Sequence, residues 1–144
     1  MGNKAVVLSL RPEWAKHIFI TQDKTFEVRK RAPRIESPYK VYVYCTKTGE
    51  TIHRKTFLWE GDLNGLVCGE FTCVRTIKKS SPWKGKGEGT CLTDRELAIY
   101  SCFEDLYFME IKDPILYDKP LKLTDIGVAH IPQSWNYCEA LDDG

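Results

Sequence analysis

The sequence predicts a mainly β (α+β) fold: a small β-barrel with two or three short helices. Several segments alternate polar and apolar residues or are rich in Val, Ile, Phe and Tyr, as strands are. Most of them are joined by loops rather than helices, which favours antiparallel pairing over a helix-covered parallel sheet. The length of 144 residues is that of one ordinary domain, taken as 1–144. Hydrophobic residues make up 42% and charged residues 28%, enough apolar material for a real core.

Ala5–Leu10 is a short apolar run and predicts a buried strand. Pro12 suits a first helical turn, where no amide donor is missed, and Trp14, Ala15, Ile18 and Phe19 give helical spacing through Pro12–Ile20. Thr25–Arg31 alternates, with Phe26 and Val28 on one side and Thr25, Glu27 and Arg29 on the other. Lys40–Thr46 alternates too, with Tyr42, Tyr44 and Thr46 sharing a side. Leu66–Ile77 predicts a long strand in which Gly69 marks a bulge or a close backbone approach. Thr93 and Glu96 form a capping box for a helix through about Tyr100. Asp105–Tyr117 predicts a further strand, broken near Pro114, and Leu123–Ile126 a single helical turn. His130–Tyr137 is expected to be irregular, and the acidic tail 141–144 to be frayed. Two stretches, about 49–64 and 79–89, look like loops inserted between strands.

The net charge of +1 hides an asymmetry. Residues 1–60 hold 12 Lys and Arg against 6 Asp and Glu, while residues 61–144 hold 9 against 14. The basic charge peaks at Lys24–Arg34, a patch that can meet phosphate or simply be a solvated face. No apolar run approaches the ~18 residues of a membrane helix, and Met1–Leu10 lacks the features of a signal peptide, so a cytoplasmic location is expected. The six cysteines form no C-x-x-C pair, and with His17, His53 and His130 they show no zinc-ligand spacing. The spacing therefore predicts reduced core cysteines, no metal and no cofactor. There is also no G-x-S-x-G, no Walker loop and no zinc motif.

Three segments can carry chemistry. In Lys24–Arg31, Glu27 and Arg29 share a strand face; they form either a plain ion pair or a carboxylate that accepts from a base amine beside a guanidinium. Tyr44, Thr46 and Lys47, near a strand end, can stack on a base and hold a phosphate, or fill a barrel mouth. Gln133 can read a base edge and Trp135 can stack, or Pro132–Trp135 can plug one end of the barrel.

Taken together, these segments resemble the ASCH domain of the PUA-like superfamily. The resemblance rests on Ser9-Leu-Arg11-Pro-Glu-Trp14-Ala-Lys-His-Ile18, Lys24-Thr25-Phe-Glu27-Val-Arg29-Lys-Arg31, Val41-Tyr-Val-Tyr44-Cys-Thr46, Gly69-Glu70-Phe71 and Pro132-Gln133-Ser134. It spans about Lys4 to Tyr137. It implies a β-barrel whose cleft is lined by the strand after Lys24, and a role in binding RNA or a modified nucleotide. Lys24, Arg29 and Arg31 would meet phosphate; Glu27, Thr46 and Gln133 would read base edges; Tyr44 and Trp135 would stack. Ser9, Arg11, Thr25, Lys47 and Ser134 complete the implied ligand-binding set. Some members of this family resemble ribonucleases, which here would use Lys24 or Lys47 to stabilise the phosphorane and Tyr44 or Glu27 to move a proton. One branch hydrolyses the acetyl amide of N4-acetylcytidine with a Lys, a Thr three residues later and a distant Glu. Lys24 matches that Lys, but Glu27 stands at the Thr position and Thr25 directly follows the Lys, so the obvious hydroxyl nucleophile is missing. A third reading makes the loops around Trp59 and Trp83 a surface for another protein.

Overall fold

Val and Tyr alternate through the strand that becomes the centre of the molecule, and both of its faces are covered. The structure, a computed structural model, describes residues 3–141. Strand β1 (Lys4–Leu10) leads through helix α1 (Pro12–Phe19) to β2 (Phe26–Arg29) and β3 (Tyr39–Cys45). A small hairpin follows, β4 (His53–Lys55) and β5 (Glu60–Asp62). Then come β6 (Leu66–Lys79), helix α2 (Asp94–Ser101), β7 (Leu106–Leu121), a 3-10 turn at Leu123–Ile126 and β8 (Trp135–Glu139). Six strands form one sheet in the order β2-β7-β6-β3-β1-β8. Among the described residues only β1 and β3 pair in parallel, across the connection that holds α1; the other pairs are antiparallel. No helix among the described residues is long and apolar enough to cross a membrane.

Alternation assigns the cores. From β3, Val41, Val43 and Cys45 pack with Val6, Leu8, Ile18 and Phe71. Tyr42 and Tyr44 point the other way, against Ala5, Val7, Val67, Ile126 and Val128. A third cluster joins Val28 of β2 to Trp83, Leu97, Leu106 and Phe108. The mainly-β architecture with two helices is as expected. The sheet does not close by backbone pairing among the described residues: its edge strands are β2 and β8. The Arg29 side chain spans the gap instead, donating to Ser9 O at 2.9 Å and Ser134 Oγ at 3.0 Å.

Several boundaries moved for physical reasons. β7 runs through Pro114 to Leu121. The register with β6 shifts there, from Thr72↔Lys112 to Glu70↔Ile115, so Pro114 lies in a bulge that needs no amide donor. The expected irregular stretch His130–Tyr137 ends in β8, whose polar residues give no apolar alternation but pair with β1. The 49–64 excursion contains the β4–β5 hairpin. The α2 capping box is complete: Glu96 N donates to Thr93 Oγ1 at 3.1 Å, and Thr93 N to Glu96 Oε1 at 3.0 Å. Trp83, expected to offer a contact surface, is 5% exposed and stacks on Phe108 at 6.4 Å, because the basic loop folds it into the third core. The acidic tail beyond Leu141 lies outside the described residues.

Candidate functional site

β2 has an apolar face packed into the third core, which forces its other face towards α1 and β1. That face carries Glu27 and Arg29, as the alternation predicts. Lys24 joins them because the chain turns back after α1, where Lys24 N donates to His17 O at 3.2 Å. The result is a buried network. Lys24 Nζ lies 3.2 Å from Glu27 Oε1, and Arg29 Nη2 lies 2.7 Å from Glu27 Oε2. Lys24 is 3% exposed and Glu27 5%. Lys24 Nζ also donates to Thr90 O at 2.7 Å and sits 5.4 Å from the Trp14 ring centre. Every nitrogen of the Arg29 guanidinium is engaged, by Glu27, Ser9 O and Ser134.

Burial by itself would push the Glu27 carboxyl up. The Arg29 and Lys24 charges and the hydrogen bonds from both cations outweigh it, so the carboxyl is held below its ordinary range. Glu27 is therefore a carboxylate at neutral pH, with oxygens that accept and do not donate.

An open cleft of about 620 Å³ lies over this network. Of the residues expected there, Ser9, Arg11, Lys24, Glu27, Arg29, Thr46 and Gln133 line it. The others stand apart. Tyr44 is 2% exposed in the second core, on the opposite face of β3. Thr25 is exposed and lies against Gly89, where its backbone N donates to Gly89 O. Lys47 packs along Gly65. Trp135 is buried in the first core, and its Nε1 donates to Arg31 O at 3.0 Å. The Arg31 guanidinium covers that indole at 4.8 Å, and Ser134 holds Arg29 from behind. Sequence reasoning missed one wall: Trp14 from α1, Leu92, and Glu96, Ile99 and Tyr100 from α2. Ile99 and Tyr100 stand side by side near the end of α2, but nothing in their spacing marks them as a cleft wall.

No family model matches the sequence, and no curated protein matches it. Among solved structures, the chain is similar to the ASCH protein of Zymomonas mobilis. A tyrosine-to-phenylalanine mutant of that protein superposes with a TM-score of 0.68 at 22% identity, covering 94% of this chain and 90% of that one. A serine-to-alanine mutant gives 0.66 at 22% identity, over 92% and 87%. A further crystal structure of ASCH from this organism gives 0.62 at 21% identity, over 92% and 86%. Matches of this extent concern the backbone architecture, and they agree with the motif resemblance in Ser9–Ile18 and Lys24–Arg31. The chain has the ASCH-domain fold.

Proposed function

We propose that the cleft binds a nucleotide, free and modified or as a unit of RNA. The observation that carries this reading is the buried Lys24–Glu27–Arg29 network at the floor of an open cleft. Burying three charges is costly, and an apolar core of similar volume is often as stable or more so. Charges kept in a cleft are more readily explained by a ligand than by stability. A volume of about 620 Å³ lies within the range of roughly 300–1,000 Å³ common for small-molecule sites.

The geometry divides the work. Arg11 is well exposed at the mouth and precedes α1, which has no side-chain cap, so a phosphate there would meet a guanidinium and a helix N-terminus together. Lys24 supplies a second cation from below. Arg29 is spent on protein partners and acts by holding Glu27. Glu27 accepts from an exocyclic amine, and Thr46 and Gln133 offer further polar contacts to a base edge. Trp14 and Tyr100 replace Tyr44 and Trp135 as the rings against which a base can stack.

Titration of the protein with short RNA and with nucleoside monophosphates, at several salt concentrations, tests this reading. Arg11→Ala and Lys24→Ala should each weaken binding by ~1–3 kcal/mol and flatten its salt dependence. If Arg11→Ala and Lys24→Ala both bind like the wild type, the ligand site lies elsewhere. The same samples report on hydrolysis. With Thr25 outside the cleft and Glu27 in place of a hydroxyl, N4-acetylcytidine should remain unconverted; turnover abolished by Lys24→Ala would instead make the cleft a hydrolase site.

A further inference from the structure

Three metal-ligand side chains that no sequence spacing connects meet beside the cleft. His17 lies in the last turn of α1, Asp23 in the turn before β2, and Cys91 in the loop before α2. One donor atom from each comes within 4.8 Å of the other two. His17 Nδ1 is 2.8 Å from Asp23 Oδ1, and Thr21 Oγ1 donates to the same oxygen at 2.6 Å. The imidazole leans on Trp14, with ring centres 6.1 Å apart, which restrains its orientation. His17 and Cys91 are half-buried and Asp23 is exposed, so the group is both anchored and reachable from solvent.

We propose that His17, Asp23 and Cys91 form a binding site for a divalent transition metal of the zinc type, which ties the turn before β2 to the loop before α2. An imidazole nitrogen, a carboxylate oxygen and a thiolate sulfur are the donors zinc takes, and three protein ligands leave a fourth position for water. Zinc–ligand bond lengths place tetrahedral donors ~3.3 Å apart for N and O and ~3.6 Å apart for N and S. The observed separations reach that arrangement by side-chain shifts of about 1 Å. Calcium and magnesium, which prefer oxygen ligands, are poorly matched to the set. A nucleophilic Cys–His–Asp relay is also a poor match, because it needs the imidazole between thiol and carboxylate. Here the Cys91 sulfur lies within 4.8 Å of the Asp23 carboxylate oxygen as well as of the His17 ring nitrogen, so the three donors converge on one point instead of forming a chain. The spacing of the cysteines and histidines predicted no metal; the proposal departs from it because the fold brings Cys91 next to a turn far away in the chain.

The site touches the cleft through the backbone. Asp23 directly precedes Lys24, and Cys91 directly follows Thr90, whose carbonyl accepts from Lys24 Nζ at 2.7 Å. A metal held by Asp23 and Cys91 would cross-link the two segments that this hydrogen bond joins.

Chelator-stripped full-length protein titrated with Co²⁺ and Zn²⁺ tests the proposal. One equivalent of Co²⁺ should bind and give a near-ultraviolet thiolate-to-cobalt band, and Zn²⁺ should raise Tm. Cys91→Ser should lose the band, and Cys91→Ser and His17→Ala should each weaken Zn²⁺ binding about tenfold or more. His53→Ala, which alters the exposed His53–Glu60–Asp62 group, should bind like the wild type. His17→Ala changes a partly exposed side chain and so keeps the test valid if Cys91→Ser is poorly folded. Absence of stoichiometric binding overturns the proposal, as does binding by His17→Ala or by folded Cys91→Ser that matches the wild type.

Discussion

Glu27 lies between two cations in the interior, and its charge is the residue-scale feature on which the cleft depends. Burial opposes ionisation, yet Arg29 and Lys24 hold the folded-state pKa below the reference value of 4.5. A carboxyl depressed on folding stabilises the fold above its unfolded pKa, and that contribution is lost as pH falls through the folded pKa. The network should therefore contribute fully at neutral pH and disappear only in acid, below about pH 4.5. Glu27→Gln leaves Lys24 and Arg29 buried without their counter-charge and should cost ~3–5 kcal/mol, read from urea unfolding at neutral pH. The same variant should show a shallower loss of stability in acid. Unchanged stability would mean that the network contributes nothing net. Half of this network was legible in the sequence. Phe-Glu-Val-Arg alternation placed Glu27 and Arg29 on one face, but alternation alone sends Lys24 the other way. The turn that brings it in is fixed by a backbone bond to His17, a contact that no pattern records.

At the scale of elements, the strands with clear alternation were legible, while the partners of their side chains were not. β3 was placed correctly and Tyr44 was grouped with Tyr42 on one side of it, but that side faces the second core and not the cleft, where Tyr44 was expected. What covers that side, Ile126 and Val128 from the 3-10 turn and the residues after it, comes from the far end of the chain. β6 was legible through Gly69, which sits where β7 and α1 crowd the strand. A Cβ at Gly69 would run into the Ile115 carbonyl oxygen and lie 2.9 Å from the Phe19 ring. Gly69→Ala should destabilise by about 1–3 kcal/mol through overpacking, measured as a shift in the urea midpoint with the slope unchanged. The loop around Trp83 was the least legible element, because Lys and Gly on both sides suggest an exposed insert. Its indole instead closes the core beneath β2. Trp83→Ala should cost about 3–5 kcal/mol in unfolding experiments. A change within 0.5 kcal/mol, typical of exposed sites, would contradict that placement.

The whole molecule joins a basic first half to an acidic second half, and the cleft lies where they meet. The segment between β1 and α1 supplies Arg11, the turn before β2 supplies Lys24 and β2 supplies Arg29, while α2 supplies Glu96, Ile99 and Tyr100. The basic side was visible as a charge cluster; the α2 wall was not, since its helix reads as an ordinary capped surface helix. Placing Trp14 in the cleft and Trp59 and Trp83 outside its lining gives the account a direct internal reporter. Indole N–H signals of ¹⁵N-labelled protein, followed by NMR during titration with nucleoside monophosphates and short RNA, distinguish these positions. The account predicts a saturable shift of the Trp14 indole, with Trp59 and Trp83 unmoved. A Trp14 signal that stays fixed while nucleotide binds, or shifts confined to Trp59 and Trp83, would contradict it.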